Sequence, residues 1–171
     1  MGGNKQIYFI SNEEAISPKV ATKSVLFSFI VDVEEHQNVS TMDIPNAFIQ
    51  THTKDEKDTA IINIRVVLVD ILLEISPDVY GPYVITEQKG VKQLIVQCQN
   101  AIYGTMMASL LYYKKFRRSL KDEGYEFNLY DPSAAKKIIK GIQMTAYFHV
   151  DNCNLSNKIL KAVGKTIPYL N

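Results

Sequence analysis

The sequence predicts a mixed α+β chain, and three observations carry that expectation. Two long segments, residues 17–35 and 100–123, repeat apolar residues at helical spacing. Two short ones, residues 38–44 and 143–151, alternate apolar and polar side chains as strands do. Asp151-Asn152 then predicts a tight turn and a hairpin, because Asp and Asn tolerate positive φ. At 171 residues, 46% apolar and 22% charged, the chain reads as one domain, two small ones being the alternative, and can bury a core without disulfides or metal staples. The same composition excludes a disordered chain, a collagen-like repeat and a coiled-coil rod.

Each element has a local reason. Ser11-Asn12-Glu13-Glu14 has capping-box spacing, but Ser17-Pro18 is the better helix start, since Ser17 accepts free backbone N–H groups and Pro18 suits the first helical position. Leu26, Ile30 and Val33 mark that helix's expected apolar face, and it should run to about Glu35. In the strand that follows, Val39, Thr41 and Asp43 point one way, Ser40, Met42 and Ile44 the other, and Pro45 stops it. Residues 51–59 are polar and read as a loop. Residues 60–75 are apolar nearly all round; a strand pair and a buried helix both fit, and length favours the helix, ended by Ser76-Pro77-Asp78. Residues 91–97 are β-prone.

Within 100–123, Leu110, Tyr113, Phe116 and Leu120 form an apolar stripe. Lys114, Arg117, Arg118 and Lys121 form a basic stripe beside it, and Gly124 ends the helix. In the second alternating strand, Met144, Ala146, Phe148 and Val150 face one side, and Thr145, Tyr147, His149 and Asp151 the other. Residues 153–155 return as the second arm of the hairpin, and Ser156 is placed to cap a last helix ending near Leu170.

Net charge is +1, but it conceals a division. Residues 1–99 hold 8 Lys/Arg against 13 Asp/Glu, whereas residues 100–171 hold 11 against 5. Such asymmetry hints at a polyanion-binding face, although charge runs are commonly solvated surface. The most apolar stretch, residues 60–75, is too short for a membrane span and carries Asn63, Arg65, Asp70 and Glu74. Residues 1–10 lack the apolar run of a signal peptide, and two cysteines make no disulfide framework, so an intracellular setting, cytoplasm or nucleus, is expected. Cys98 and Cys153 read as buried small hydrophobes. No phosphate-binding glycine loop, dinucleotide turn or nucleophile elbow is present, and no Cys/His set has metal-ligand spacing.

Two strands each end in an aspartate on the polar face, Asp43 and Asp151, 108 residues apart. A single such aspartate is ordinarily a turn residue. Two on adjacent strands would share one sheet edge, where carboxylates bind Mg²⁺ and a pair of ions ~3.5–4 Å apart assists in-line phosphoryl transfer.

Three segments in order carry a resemblance. Thr41-Met42-Asp43-Ile44-Pro45-Asn46-Ala47-Phe48-Ile49-Gln50 is similar to a D-V-x-N-A-F-L motif. Ala101-Ile102-Tyr103-Gly104, with residues 110–118, is similar to an L-Y-G-L-K-Q-A-x-x-x-W-Y helix. Phe148-His149-Val150-Asp151-Asn152 is similar to a Y-V-D-D hairpin, and Asp131-Pro132 matches a further D-P element. The set resembles the reverse transcriptase of copia-type retrotransposons, over nearly the whole chain. The resemblance implies a right-hand polymerase palm, a small antiparallel sheet backed by helices, with part of the fingers. Residues 1–171 would then be one partial fingers/palm domain lacking thumb, RNase H and integrase regions.

It further implies RNA-directed DNA polymerase activity, with a template-primer and a deoxynucleotide as partners and no membrane. Asp43 and Asp151 would hold Mg²⁺ as a two-metal site. Phe48 would lie under the incoming sugar, or be a core aromatic. Tyr103 and Gly104 would form the bend before the nucleotide-facing helix, Gly104 allowing close backbone approach or capping a strand. Lys114, Arg117, Arg118 and Lys121 would lie near template phosphates, or form a solvated face.

The sequence departs from the family at two functional positions. The second aspartate of the hairpin is Asn152, which keeps an oxygen but loses a charge beside a dication. The glutamine of the helix motif is Met107, which has no amide to offer a nucleotide. The family's tryptophan falls at Tyr112, and His149 replaces a tyrosine and reads as a strand residue beside the site. The expectation is therefore an impaired, truncated copy of the enzyme, the alternative being a folded relic with at most weak nucleic-acid binding.

Overall fold

The computed structural model describes residues 17–53, 59–87, 89–105 and 107–164. The capping-box spacing at Ser11–Glu14, part of the 51–59 loop and the end of the last helix lie outside them. The architecture is mixed α+β, with two antiparallel sheets and several helices.

The first helix, α1 (Thr22–Glu34), leads into β1 (Asn38–Asp43). The segment expected as one helix splits into β2 (Ile61–Arg65) and α2 (Val67–Ile75). A short helix, α3 (Pro77–Tyr80), and one 3-10 turn lead to β3 (Val84–Thr86) and β4 (Lys92–Gln97). The long helix is α4 (Ala108–Asp122). Then come β5 (Glu126–Phe127), β6 (Ala134–Ile139), β7 (Ile142–His149) and β8 (Asn152–Asn157). Residues 160–164 are helical.

The larger sheet has the order β1-β8-β7-β6-β5, the smaller β2-β4-β3. β6 and β7 are joined by Lys140-Gly141, both at positive φ (51° and 79°), as the two-residue turn of a right-twisted hairpin requires. β1 reaches β8 across more than a hundred residues, pairing Asn38 with Asn157 and Asp43 with Asn152. The alternation read in β1 and β7 holds: Met42, Ile44, Met144, Ala146 and Phe148 are buried, and Thr41, Asp43 and His149 are exposed. The core lies between this face and α4, where Tyr112, Phe116 and Leu120 meet Met144, Phe148 and Leu155.

Several expectations need correction. α1 begins at Thr22, not at Ser17-Pro18, because residues 17–21 are bound elsewhere: the Pro18 carbonyl accepts from Ser133 Oγ (3.1 Å) and the Ala21 N–H donates to Asp131 Oδ2 (3.0 Å). Its expected apolar face is exposed, with Leu26 at 56%, Ile30 at 65% and Val33 at 74%, whereas Ser28 and Asp32 are buried. The reason is the surface beneath. Asp32 bonds the Ser156 side chain and its charge reaches Tyr147, and both residues stand on the sheet face opposite the core. A polar sheet face selects the polar side of the helix.

Residues 60–75 are strand then helix because β4 needs a partner: Ile62 pairs with Val96 and Ile64 with Leu94. Val66, at φ 49°, breaks the chain there, and its N–H donates to the Lys92 carbonyl (3.0 Å). Tertiary pairing overrode the length criterion.

α4 starts at Ala108 rather than 100, since Gly104 sits at φ 86°, a bend that helical residues do not make. Among the described residues nothing lies within 4 Å of a Cβ added at Gly104, so within the fold its need is conformational. The buried ridge of α4 is Ala108, Tyr112, Phe116 and Leu120; it shares Phe116 and Leu120 with the expected stripe and has Ala108 and Tyr112 in place of Leu110 and Tyr113. Gly124, at φ 83°, ends it as expected: the Tyr125 N–H reaches the Leu120 carbonyl and the Gly124 N–H that of Lys121, both at 2.9 Å.

The hairpin turn is Val150-Asp151 rather than Asp151-Asn152, because His149 pairs with Asn152. Val150 takes φ 56°, a strained setting for a β-branched residue. Ser156 is inside β8; Asn157 caps the next segment instead, its Oδ1 accepting the Ile159 N–H at 2.7 Å.

Candidate functional site

β1 delivers Asp43 to one end of the large sheet, and the β7–β8 turn delivers Asp151 to the same end. Asp43 and Asn152 stand directly opposite across the β1–β8 ladder. The Ile44 N–H donates to the Asp151 carbonyl (2.9 Å), tying the end of β1 to the turn. Two aspartates far apart in the chain thus become neighbours through strand pairing. No Lys, Arg or His forms an ion pair with either among the described residues. Asn152 Nδ2 instead donates to Asp151 Oδ1 at 3.2 Å.

The chain after Asp43 explains the rest of its motif. Pro45 ends the strand, and Asn46 takes φ 55°, which asparagine tolerates. The turn drops Ala47 into the core with no exposed surface and presents Phe48 half-buried at its edge. The motif is bonded to α4 and to the bend before it: Lys115 Nζ donates to the Gln50 carbonyl (2.9 Å), and the Ala101 N–H to that of Thr51 (2.8 Å).

This brings Phe48 against Tyr103, with ring centroids 4.5 Å apart, and 6.0 Å from Tyr112. Three of the four residues expected at a nucleotide, Phe48, Tyr103 and Gly104, therefore share one edge. Met107 precedes the first turn of α4, whose start has no side-chain cap.

In the motif reading Tyr112 is noted only as the position of the family's tryptophan and has no place at the site. Its hydroxyl is buried and has no hydrogen-bond partner among the described residues. Burial first, then the acidic groups of Cys153, Asp151, Tyr103 and Asp43, push it above the usual tyrosine range. Its side chain therefore lies within electrostatic reach of both aspartates. The i, i+4 spacing from Ala108 was the available signal.

The basic stripe goes elsewhere. Lys114, Arg118 and Lys121 are exposed on the side of α4 turned away from the sheet, while Asp43 projects from the opposite sheet face. Arg117 is half-buried and engaged: it donates to Tyr113 Oη (2.9 Å) and the Pro132 carbonyl (3.2 Å), and sits 4.1 Å over the Phe127 ring. The polar face that carries Asp43 shows Thr41, Asn152, Asn154, Thr145 and Lys136 in place of that stripe.

The donors at the sheet end suit a hard cation: two carboxylates and the Asn152 amide oxygen. Among the described residues no group of three or more His, Cys, Asp or Glu converges. Cys153 is no nucleophile, since burial pushes its thiol up to about 12, and burial also raises that of Cys98. Among the described residues no helix is long and apolar enough to cross a membrane. No family model, no curated protein and no solved structure matches this chain.

Proposed function

We propose that the chain is a reverse-transcriptase-type nucleotidyl transfer domain of the copia kind, in weakened form. The observation that carries this reading is the pairing of Asp43 with Asn152, beside Asp151 in the adjoining turn, at one end of a single antiparallel sheet. The motif order requires that juxtaposition, and local sequence does not provide it. The Phe48–Tyr103 contact adds support, since it joins the segment of Asp43 to a third part of the motif set.

In the reaction a primer 3′-hydroxyl attacks a nucleotide α-phosphate and pyrophosphate leaves. Asp43 and Asp151 would hold Mg²⁺, which when bound favours the ionised hydroxyl and offsets charge on the leaving group. Phe48, braced by Tyr103, would floor the sugar and oppose a 2′-hydroxyl by bulk. The catalytic contribution of the chain is positioning and electrostatics. Two features weaken it. Met107 offers the nucleotide no amide, and Asn152 adds no charge while its amide occupies an oxygen of Asp151. The second of these favours a further reading, a folded relic in which the amide stands where a cation would.

Primer extension by the full chain, with Mg²⁺ or Mn²⁺, separates the two. The expected result is slow incorporation that Asp43→Ala abolishes and Asn152→Asp with Met107→Gln raises at least about tenfold, as recovered electrostatic and hydrogen-bonding contacts would. Extension unaffected by Asp43→Ala overturns the assignment. No extension by any variant, with nucleic-acid binding that survives Asp43→Ala, establishes the relic.

A further inference from the structure

We infer that α1 is a self-association surface, pairing antiparallel with α1 of a second copy about a two-fold axis. The argument starts from what the helix leaves outside. Leu26, Phe27, Phe29, Ile30, Val31 and Val33 are 43–74% exposed on one helix of 13 residues, because its polar side, Ser28 and Asp32, is the side that is buried. These positions span an arc of about 200° at 100° per residue, so the outward surface between the two ends of the helix is apolar. Soluble chains rarely leave a contiguous patch of this kind uncovered.

Its size suits a second copy. At roughly 100 Å² of exposed surface per side chain, six such residues offer about 600 Å² per copy and about 1,200 Å² over a pair, the lower bound for a specific interface.

The charges choose the orientation. Lys23 and Glu34 are exposed at opposite ends of α1, eleven residues or about three turns apart, and so stand on one side of the helix within the apolar arc. Neither forms an ion pair among the described residues, while the neighbouring Glu35 is taken by Lys158 (3.3 Å). They lie symmetrically about the helix centre. An antiparallel pair sets Lys23 of each copy against Glu34 of the other, making two complementary contacts at once. A parallel pair would set like against like. The antiparallel arrangement also opposes the two helix dipoles, and it closes as an isologous dimer with no free end.

The test is sedimentation equilibrium of the full chain over a range of concentrations. The expected mass rises from 19.4 kDa toward twice that value. Ile30→Lys, at the centre of the face, should hold the chain at monomer mass. Lys23→Glu alone and Glu34→Lys alone should each weaken association about tenfold, since each replaces two attractive contacts by two repulsive ones. The double swap, Lys23→Glu with Glu34→Lys, should restore it, a result that non-specific apolar clustering does not give. Far-ultraviolet circular dichroism confirms that each variant is folded, and these exposed positions leave the core untouched. A wild-type chain that stays monomeric overturns the inference. So does a dimer indifferent to the single swaps, or one the double swap fails to restore.

Discussion

α1 and α4 begin from similar evidence and end as opposites. Each is a helix with apolar residues at helical spacing, and each lies beside the large sheet. α4 places Tyr112, Phe116 and Leu120 in the core and turns its lysines outward. α1 places Ser28 and Asp32 inward and turns its leucine, phenylalanines, isoleucine and valines outward. The difference lies in the sheet, whose two faces differ: Met42, Met144, Phe148 and Leu155 on one, Thr41, Asn154, Ser156 and Tyr147 on the other. Helical periodicity identifies a helix, but the surface it meets decides which side is buried. An element apolar over most of its circumference holds no internal instruction about facing.

The largest expected effect sharpens this contrast. Leu120 has no exposed surface, so Leu120→Ala should lower unfolding free energy by about 2–5 kcal/mol, the usual cost of a buried cavity. Leu26→Ala, in solution dilute enough to be monomeric, should change it by less than about 0.5 kcal/mol, as an exposed position does. Urea denaturation of both variants measures the ratio. Comparable losses would mean that α1 buries its apolar side after all, and the comparison would collapse.

A middle-sized effect concerns how α1 is held if packing does not hold it. Asp131 Oδ2 accepts the Ala21 N–H at the start of the helix, Oδ1 accepts the Ser133 N–H, and Ser133 bonds Pro18. From the other side of the sheet, Tyr113 donates to the Pro132 carbonyl at 3.0 Å. The 131–133 turn therefore fastens both helices. Asp131→Ala strands two backbone donors and should cost about 1–3 kcal/mol in the same denaturation experiment. A loss below that of Leu26→Ala would place the anchorage elsewhere.

The same contrast explains what the sequence made legible. The meeting of Asp43 and Asp151 at one sheet end was readable because each belongs to a motif, Asp43 ending one alternating strand and Asp151 following another, and the buried face of each strand followed from period-two spacing. Phe48 and Tyr103 were readable through motif order alone. The facing of α1 and the place of Tyr112 were not, since each depends on a partner more than ten residues away: Asp32 meets Ser156, and Tyr112 meets Phe48. Arg117 shows the limit most simply. It has the spacing of its basic neighbours, but Tyr113, Pro132 and Phe127 draw it inward.

The smallest expected effect tests whether the polar contact under α1 is a matter of fit or of charge. Burial raises the carboxyl of Asp32 above its ordinary value of 3.8; the Ser156 hydrogen bond lowers it and the nearby Glu35 raises it. A folded chain with a raised carboxyl holds a proton that the unfolded chain has released, so stability falls as pH climbs from 3.8 through the raised value and stays lower above it. Asp32→Asn keeps a group able to bond Ser156 but removes the charge. It should therefore be more stable than wild type at pH 7, and the advantage should vanish as pH falls below about 4, where the wild-type carboxyl is neutral in both states. Thermal melts of the two chains at a series of pH values provide the measurement. A destabilised Asp32→Asn at pH 7 would show that the carboxylate itself holds α1 to the sheet, which would make the polar side of this helix an attachment as specific as the apolar ridge of α4.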